Sequence, residues 1–373
     1  MAIRVQAKAK DSSDWLSGLR FDPWMALATI LLLVTGLMAV FSSAKGQGLG
    51  TIFPKQVINF ALGIVPFMIF WRVAPQVWQR AANWLWVLNV ALLAAVLVAG
   101  SHQMGAQRWI AIGSFQFQPS ELSKILTAIT LATFFSRRHG EISLFRTFVQ
   151  SFLHILPTLF LVIKQPHLGG TLTILAIWLA MSVVAGIPWK FLFASFLAVA
   201  VIGASVVHFR LLPSYMMDRI DGMKVSDDRG KDYQVTQASI AYASGGVFGK
   251  GYLKGEQKSA VPMQWNDFIF SVIGEEGGLT VCLLVLASFG LLYFRMWLAL
   301  VYSSDYWGKL VVAGILTFMA FHTFVNIGMT MGMLPVVGLW LPFMSFGGTA
   351  MWLCLSAVAL VQNVYRQEED SMF

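Results

Sequence analysis

Ten runs of roughly twenty apolar residues, most of them joined by short polar connections, leave this chain few ways to fold. They fall near residues 22–43, 56–73, 80–100, 119–136, 146–163, 170–187, 189–209, 267–294, 309–333 and 346–366. A run of that length crosses the hydrocarbon core of a bilayer as a helix, because a helix satisfies its backbone polar groups within itself. The chain is 57% hydrophobic and 12% charged, a balance that excludes a water-soluble globule. The expected fold class is an all-α polytopic integral membrane protein of about ten transmembrane helices.

An even number of spans puts both termini on one side. Arg4, Lys8, Lys10, Arg20, Arg72, Arg80, Arg137, Arg138, Arg146, Lys190, Arg295, Lys309 and Arg366 all fall on that side, which makes it cytoplasmic. The expected organisation is a cytoplasmic segment at 1–21, spans one to seven over 22–209, a large extracytoplasmic loop at 210–266, spans eight to ten over 267–366, and a cytoplasmic tail at 367–373. The first 21 residues are polar and lack the layout of a cleaved signal, so the first span is expected to stay as an anchor. A net charge of +8 does not point to nucleic acid, since topology explains half of the basic residues. The other half, including Lys45, Lys55, Arg108, Lys124, Lys164 and eight between 210 and 258, open toward the far side and suggest an anionic ligand there. Cys282 and Cys354 both sit inside spans, which argues against a disulfide or a structural zinc site.

Asp267 is the first candidate for chemistry. It stands where the large loop meets the eighth span, in Val261-Pro262-Met263-Gln264-Trp265-Asn266-Asp267-Phe268, with Glu275 and Glu276 two turns further on. A carboxylate at a membrane boundary is costly to desolvate and persists mainly where it binds or reacts. In the loop, Arg219 belongs to a mixed-charge stretch, and 233–242 has the pattern of an amphipathic helix lying on the bilayer. The glycine run Ser244-Gly245-Gly246-Val247-Phe248-Gly249-Lys250-Gly251 fails the spacing of a nucleotide phosphate loop. Two readings remain for it: close backbone approach to a bulky phosphorylated group with Lys250 supplying charge, or a loop that needs unusual backbone angles.

Three further polar clusters interrupt the apolar pattern. Pro119 suits the first turn of a helix and sets Glu121 and Lys124 three residues apart on one face of the fourth span, as a structural ion pair or as ligand contacts. Lys164-Gln165-Pro166-His167-Leu168-Gly169 reads as a turn that leaves His167 near the outer surface as a loop residue. Asn326-Ile327-Gly328, Leu334-Pro335-Val336-Val337-Gly338 and Leu341-Pro342-Phe343-Met344-Ser345-Phe346-Gly347 imply irregular backbone around one outer loop, either a tight re-entrant turn or the lining of a polar cavity.

These motifs, in this order and across nearly every span, resemble the SEDS family of bacterial cell-wall polymerases, and Phe21-Asp22-Pro23 with Leu334-Pro335-Val336-Val337-Gly338 is similar to its elongation branch. The resemblance implies a peptidoglycan glycosyltransferase in the bacterial cytoplasmic membrane. It would polymerise lipid II on the outer side and work with a class B penicillin-binding protein and other elongation-complex membrane proteins. Asp267 matches the family's essential aspartate, Arg108, Glu121 and Lys124 match polar residues of its cavity, and Asn326 and Ser345 match its outer-loop motif. Met263, Trp265, Asn266 and His167 depart from the family pattern, where glutamate, histidine, threonine and aspartate are usual.

The chemistry fits the residues. Lipid II needs a base for the attacking sugar hydroxyl and cations for its pyrophosphate; Asp267 is the expected base. Arg108, Lys124, Arg219 and Lys250, or a divalent cation (magnesium or manganese) held between pyrophosphate and Asp267, could meet the leaving-group charge. A competing class is a transporter that flips lipid II or moves a solute, and a third is a non-catalytic scaffold, which leaves Asp267 unexplained.

Overall fold

The computed structural model describes residues 21–45, 50–103, 106–112, 115–208 and 231–371. All ten expected spans are helices: α1 Pro23–Lys45, α2 Ile52–Arg72, α3 Pro75–Ala99, α4 Pro119–Arg137, α5 Phe145–Lys164, α6 Leu168–Ala185, α7 Trp189–His208, α9 Ile269–Tyr302, α10 Tyr306–Thr330 and α11 Gly348–Ser371. Eight of them, α1, α2, α3, α5, α6, α9, α10 and part of α11, are long and apolar enough to cross a membrane. Local chemistry sets several starts. Pro75 and Pro119 occupy the first turns of α3 and α4, where a missing N–H is harmless. Asp305 caps α10 by accepting from the Gly308 N–H at 3.0 Å.

Buried positions crowd α4, α10 and α11, whereas α2 and α3 leave most of their apolar residues facing outward. Outward apolar side chains such as Ile58, Val65 and Phe160 are what a bilayer would cover. At the end where α1 begins, Asp22 is fully buried. Its Oδ1 accepts from the Met25 N–H at 2.9 Å, its Oδ2 pairs with Arg295 of α9 at 2.6 Å, and its backbone exchanges two hydrogen bonds with Gln362 of α11. One residue thus caps one helix and ties it to two others, to α9 through its side chain and to α11 through its backbone.

Two features depart from a purely helical reading. Residues 101–117 include a three-stranded antiparallel meander, β1 Ser101–Gln103, β2 Ala106–Ile112 and β3 Phe115–Phe117. Thr349, at the start of α11, fastens it by donating to the Gln116 carbonyl and accepting from the Gln118 N–H. The expected amphipathic segment lies within helix α8, Lys231–Gly245, and one face of it packs on protein. Ala238 and Ala241 bury against Val261 and Phe268, and Tyr242 reaches Thr330 of α10 at 3.1 Å.

The eighth span is broken. Gly278 has φ 65° and ψ −167°, so α9 is two helices joined at a kink. A break inside an apolar helix strands backbone groups, and the glycine-rich loop supplies their partners. Lys250 and Gly251 N–H groups donate to the Glu275 and Glu276 carbonyls, while Gly246 and Val247 carbonyls accept from Leu279 and Thr280. The approach is so close that a Cβ on Gly249, whose φ is +75°, would lie 2.1 Å from the Glu276 carbonyl oxygen. The reading of these glycines as a loop that needs unusual backbone angles holds, since Gly246, Gly249 and Gly251 all have positive φ, and the backbone they approach is the chain's own. Gly249→Ala is expected to destabilise the fold by roughly 3 kcal/mol, measured as thermal unfolding in detergent. Gly290→Ala, on the same helix with nothing within 4 Å of the new carbon, should leave the transition where it is.

Candidate active site

Residues 261–268 form the turn that leads into α9. The Asn266 N–H closes it on the Met263 carbonyl at 2.9 Å, with Met263 in the left-handed region at φ 54°. Phe268 is buried at its end, and Asp267, next to it, is half-buried. The backbone here is tied down at three successive peptide units. The Trp265 carbonyl accepts from the Phe346 N–H at 2.8 Å, the Asn266 carbonyl from Ser345 Oγ at 2.7 Å, and the Asp267 carbonyl from Asn326 Nδ2 at 2.9 Å. Gly338, at φ 72°, faces the carboxylate, and a Cβ there would stand 3.7 Å from Asp267 Oδ2.

Asn326 and Ser345, expected among the substrate contacts, have another use in this geometry. Both are buried, and their polar hydrogens point at carbonyls of this turn and of the facing segment. They hold the main chain of the turn that carries Asp267. The sequence shows residue types; which carbonyl a buried amide finds is decided by tertiary packing.

Glu121 and Lys124 meet as a fully buried ion pair at 2.7 Å on α4, which resolves the two readings of that spacing toward pairing. The same Glu121 oxygen, Oε2, accepts from the Trp340 indole Nε1 at 2.8 Å. His167, expected near the surface, is 3% exposed; its Nδ1 lies 3.1 Å from Ser120 Oγ, one residue before Glu121. Arg108 donates through Nε to the Gln165 carbonyl at 2.8 Å and through Nη2 to that of Pro166, so it braces the connection between α5 and α6. Arg108, the 165–167 connection, Ser120 and the ion pair therefore form a connected polar run beside the meander.

The loop cations are elsewhere. Lys250 pairs with Glu275 at 2.8 Å, and Lys258, buried and counted in the sequence only as one of eight loop cations, pairs with Glu276 and donates to Ser42 at 2.6 Å. Glu275 also accepts from three successive backbone N–H groups, those of Glu256, Gln257 and Lys258, at 2.6–2.8 Å. The adjacent carboxylates at 275 and 276 were the signal that two cations had to come from somewhere. Lys250 is thus engaged by the protein's own acid rather than aimed at Asp267, and the case for an anionic ligand loses two of its cations. Arg219 lies outside the described residues. Among the described residues, no three His, Cys, Asp or Glu side chains gather as a metal cage.

A family model described as "Cell cycle protein", for FtsW, RodA and SpoVE, matches residues 21–370. Peptidoglycan glycosyltransferase MrdB of Escherichia coli (strain K12) is 34% identical over 349 residues, which is 92% of this chain and 93% of that protein. Among solved structures, a chain from a peptidoglycan synthase complex that coordinates polymerization and crosslinking superposes with a TM-score of 0.82 at 26% identity, covering 93% of this chain and 98% of its own. The rod shape determining protein RodA of Thermus thermophilus gives 0.71 at 25% identity, over 95% and 99% of the two chains.

Proposed function

This chain belongs to the FtsW, RodA and SpoVE family of cell cycle proteins, and from that premise we propose how its residues build glycan. It is a multi-pass membrane enzyme, a RodA-like peptidoglycan glycosyltransferase. Its substrate is lipid II, a disaccharide carried on polyprenyl pyrophosphate. Asp267 takes the proton from the 4-hydroxyl of the acceptor N-acetylglucosamine as that oxygen attacks the anomeric carbon of the donor sugar. The bond to the pyrophosphate oxygen breaks, the electron pair leaves with polyprenyl pyrophosphate, and the configuration inverts. No second carboxylate nucleophile is needed. The observation that carries this reading is the triple clamp on residues 265–267, because a general base works only if held within hydrogen-bond reach of its proton.

Arg108 and Lys124 belong to the electrostatic surroundings of the pyrophosphate, Lys124 with its charge already balanced by Glu121. Asp267 is the residue that would hold a magnesium or manganese ion, whose chemistry would be charge neutralisation at the leaving group. The active site faces outward from the bacterial cytoplasmic membrane with both termini in the cytoplasm. A class B penicillin-binding protein crosslinks the strands, alongside other membrane proteins of the elongation complex. The flippase alternative gains little from the break in α9, since the protein's own loop fills it.

The test is a gel assay of the purified protein with fluorescent lipid II, with and without a class B partner. Glycan ladders are expected. Lipid II translocation in proteoliposomes without any ladder would replace this reading with the flippase. In the same assay, Met263→Glu puts a second carboxylate on the turn and is expected to lower the magnesium or manganese concentration for half-maximal rate by about tenfold. Superimposable metal curves would show that position 263 has no part in cation binding.

A further inference from the structure

Between α10 and α11, residues 339–341 are each fastened by hydrogen bonds, and Gly338 lies directly before them. Gly338 faces the Asp267 carboxylate. The Leu339 carbonyl accepts from Asn326 Nδ2 at 2.7 Å, the same amide that holds the Asp267 carbonyl. The Trp340 indole donates to Glu121 Oε2, with the Lys124 ammonium 5.2 Å from the centre of its ring. The Trp340 carbonyl lies 3.3 Å from His322 Nδ1, and the Leu341 N–H donates to Ser345 Oγ, which in turn holds the Asn266 carbonyl. No helix or strand includes these residues, so side-chain anchors decide how the strap sits.

We infer that Trp340 is a positioning residue for glycosyl transfer: its indole N–H moors the 338–341 strap to the Glu121–Lys124 pair, and the strap sets the aim of the Asp267 carboxylate. The N–H meets a charged, buried acceptor, which makes it a strong member of the set of anchors. Leu339 and Leu341 flank it and carry the two links back to the turn of Asp267, so a shift at 340 is passed to the Asn326 and Ser345 hydrogen bonds together. The ion pair, which has no direct contact with the acid among the hydrogen bonds described, acquires a route to it. The inference rests on Asp267 being the base.

The test removes the N–H, and its second variant also keeps the bulk. Trp340→Phe and a second variant carrying 3-benzothienylalanine at 340, which matches the indole in shape and lacks the donor, are assayed as full-length protein with its class B partner and fluorescent lipid II. Turnover should fall about tenfold in both, since small misplacements of a reacting group are costly. The apparent KM for lipid II should stay within about twofold, unlike a residue that merely binds substrate, and although losing a hydrogen bond to a buried charge lowers the unfolding temperature by a few degrees, the protein should stay fully folded at the assay temperature. Wild-type turnover in the benzothienyl variant, a loss confined to KM, or a loss explained by unfolding at the assay temperature would each overturn the inference. Asp267→Asn is run beside them. If it keeps its turnover, the base assignment fails and the strap loses its target; if it is inactive while both Trp340 variants are fully active, only the strap is wrong.

Discussion

Asp267→Asn loses at least about a hundredfold in polymerisation rate, the usual scale for removing a general base. The substitution swaps one carboxylate oxygen for an amide nitrogen and leaves the main chain alone. All three clamps on this turn act on main-chain carbonyls, so Phe346, Ser345 and Asn326 keep their partners in the variant. Unfolding temperature and co-purification with the class B partner should therefore match wild type while glycan synthesis collapses. An Asn variant that still makes most of the glycan would remove Asp267 from the mechanism.

The second large effect is on stability. Glu121 and Lys124 share a site with almost no solvent access, so removing one partner strands a charge. Lys124→Met leaves Glu121 with the Trp340 indole as its remaining donor among the hydrogen bonds described, and Glu121→Leu leaves a buried ammonium. Each single change is expected to cost roughly 3–5 kcal/mol, and the double change to apolar residues considerably less. Unfolding of the three variants in detergent is the measurement. Equal and small losses would mean that water reaches the pair, and that these side chains are solvated cavity groups open to substrate.

The positions of the spans were legible because twenty apolar residues have one low-energy fate in a bilayer, and because Pro75, Pro119 and Asp305 mark helix starts by local chemistry alone. Asp267 was legible for a related reason, being an acid where acids are expensive. The break at Gly278 was not. A single glycine in an apolar run reads as a tolerated helix residue, and only the loop some thirty residues earlier reveals that the main chain turns there. Asn326, Ser345 and Lys250 show another limit: each has the right chemistry for a substrate, and the protein group that each also engages lies far off in sequence. His167 was misplaced because its turn sequence looks exposed, whereas the helices around it close over it.

The docking of the glycine-rich loop into α9 also bears on how the molecule is made. Lys250 and Lys258 precede their acids by 25 and 18 residues, so a ribosome delivers the ammonium groups before the carboxylates they will neutralise. A segment with two adjacent glutamates partitions poorly into a bilayer by itself. Membrane entry of the eighth span thereby becomes a joint event, in which a polar stretch already outside the lipid escorts the acids to their places. Grafting a foreign loop onto these ten spans would then fail during biogenesis, as a product cleared by membrane proteolysis, before any question of catalysis arose.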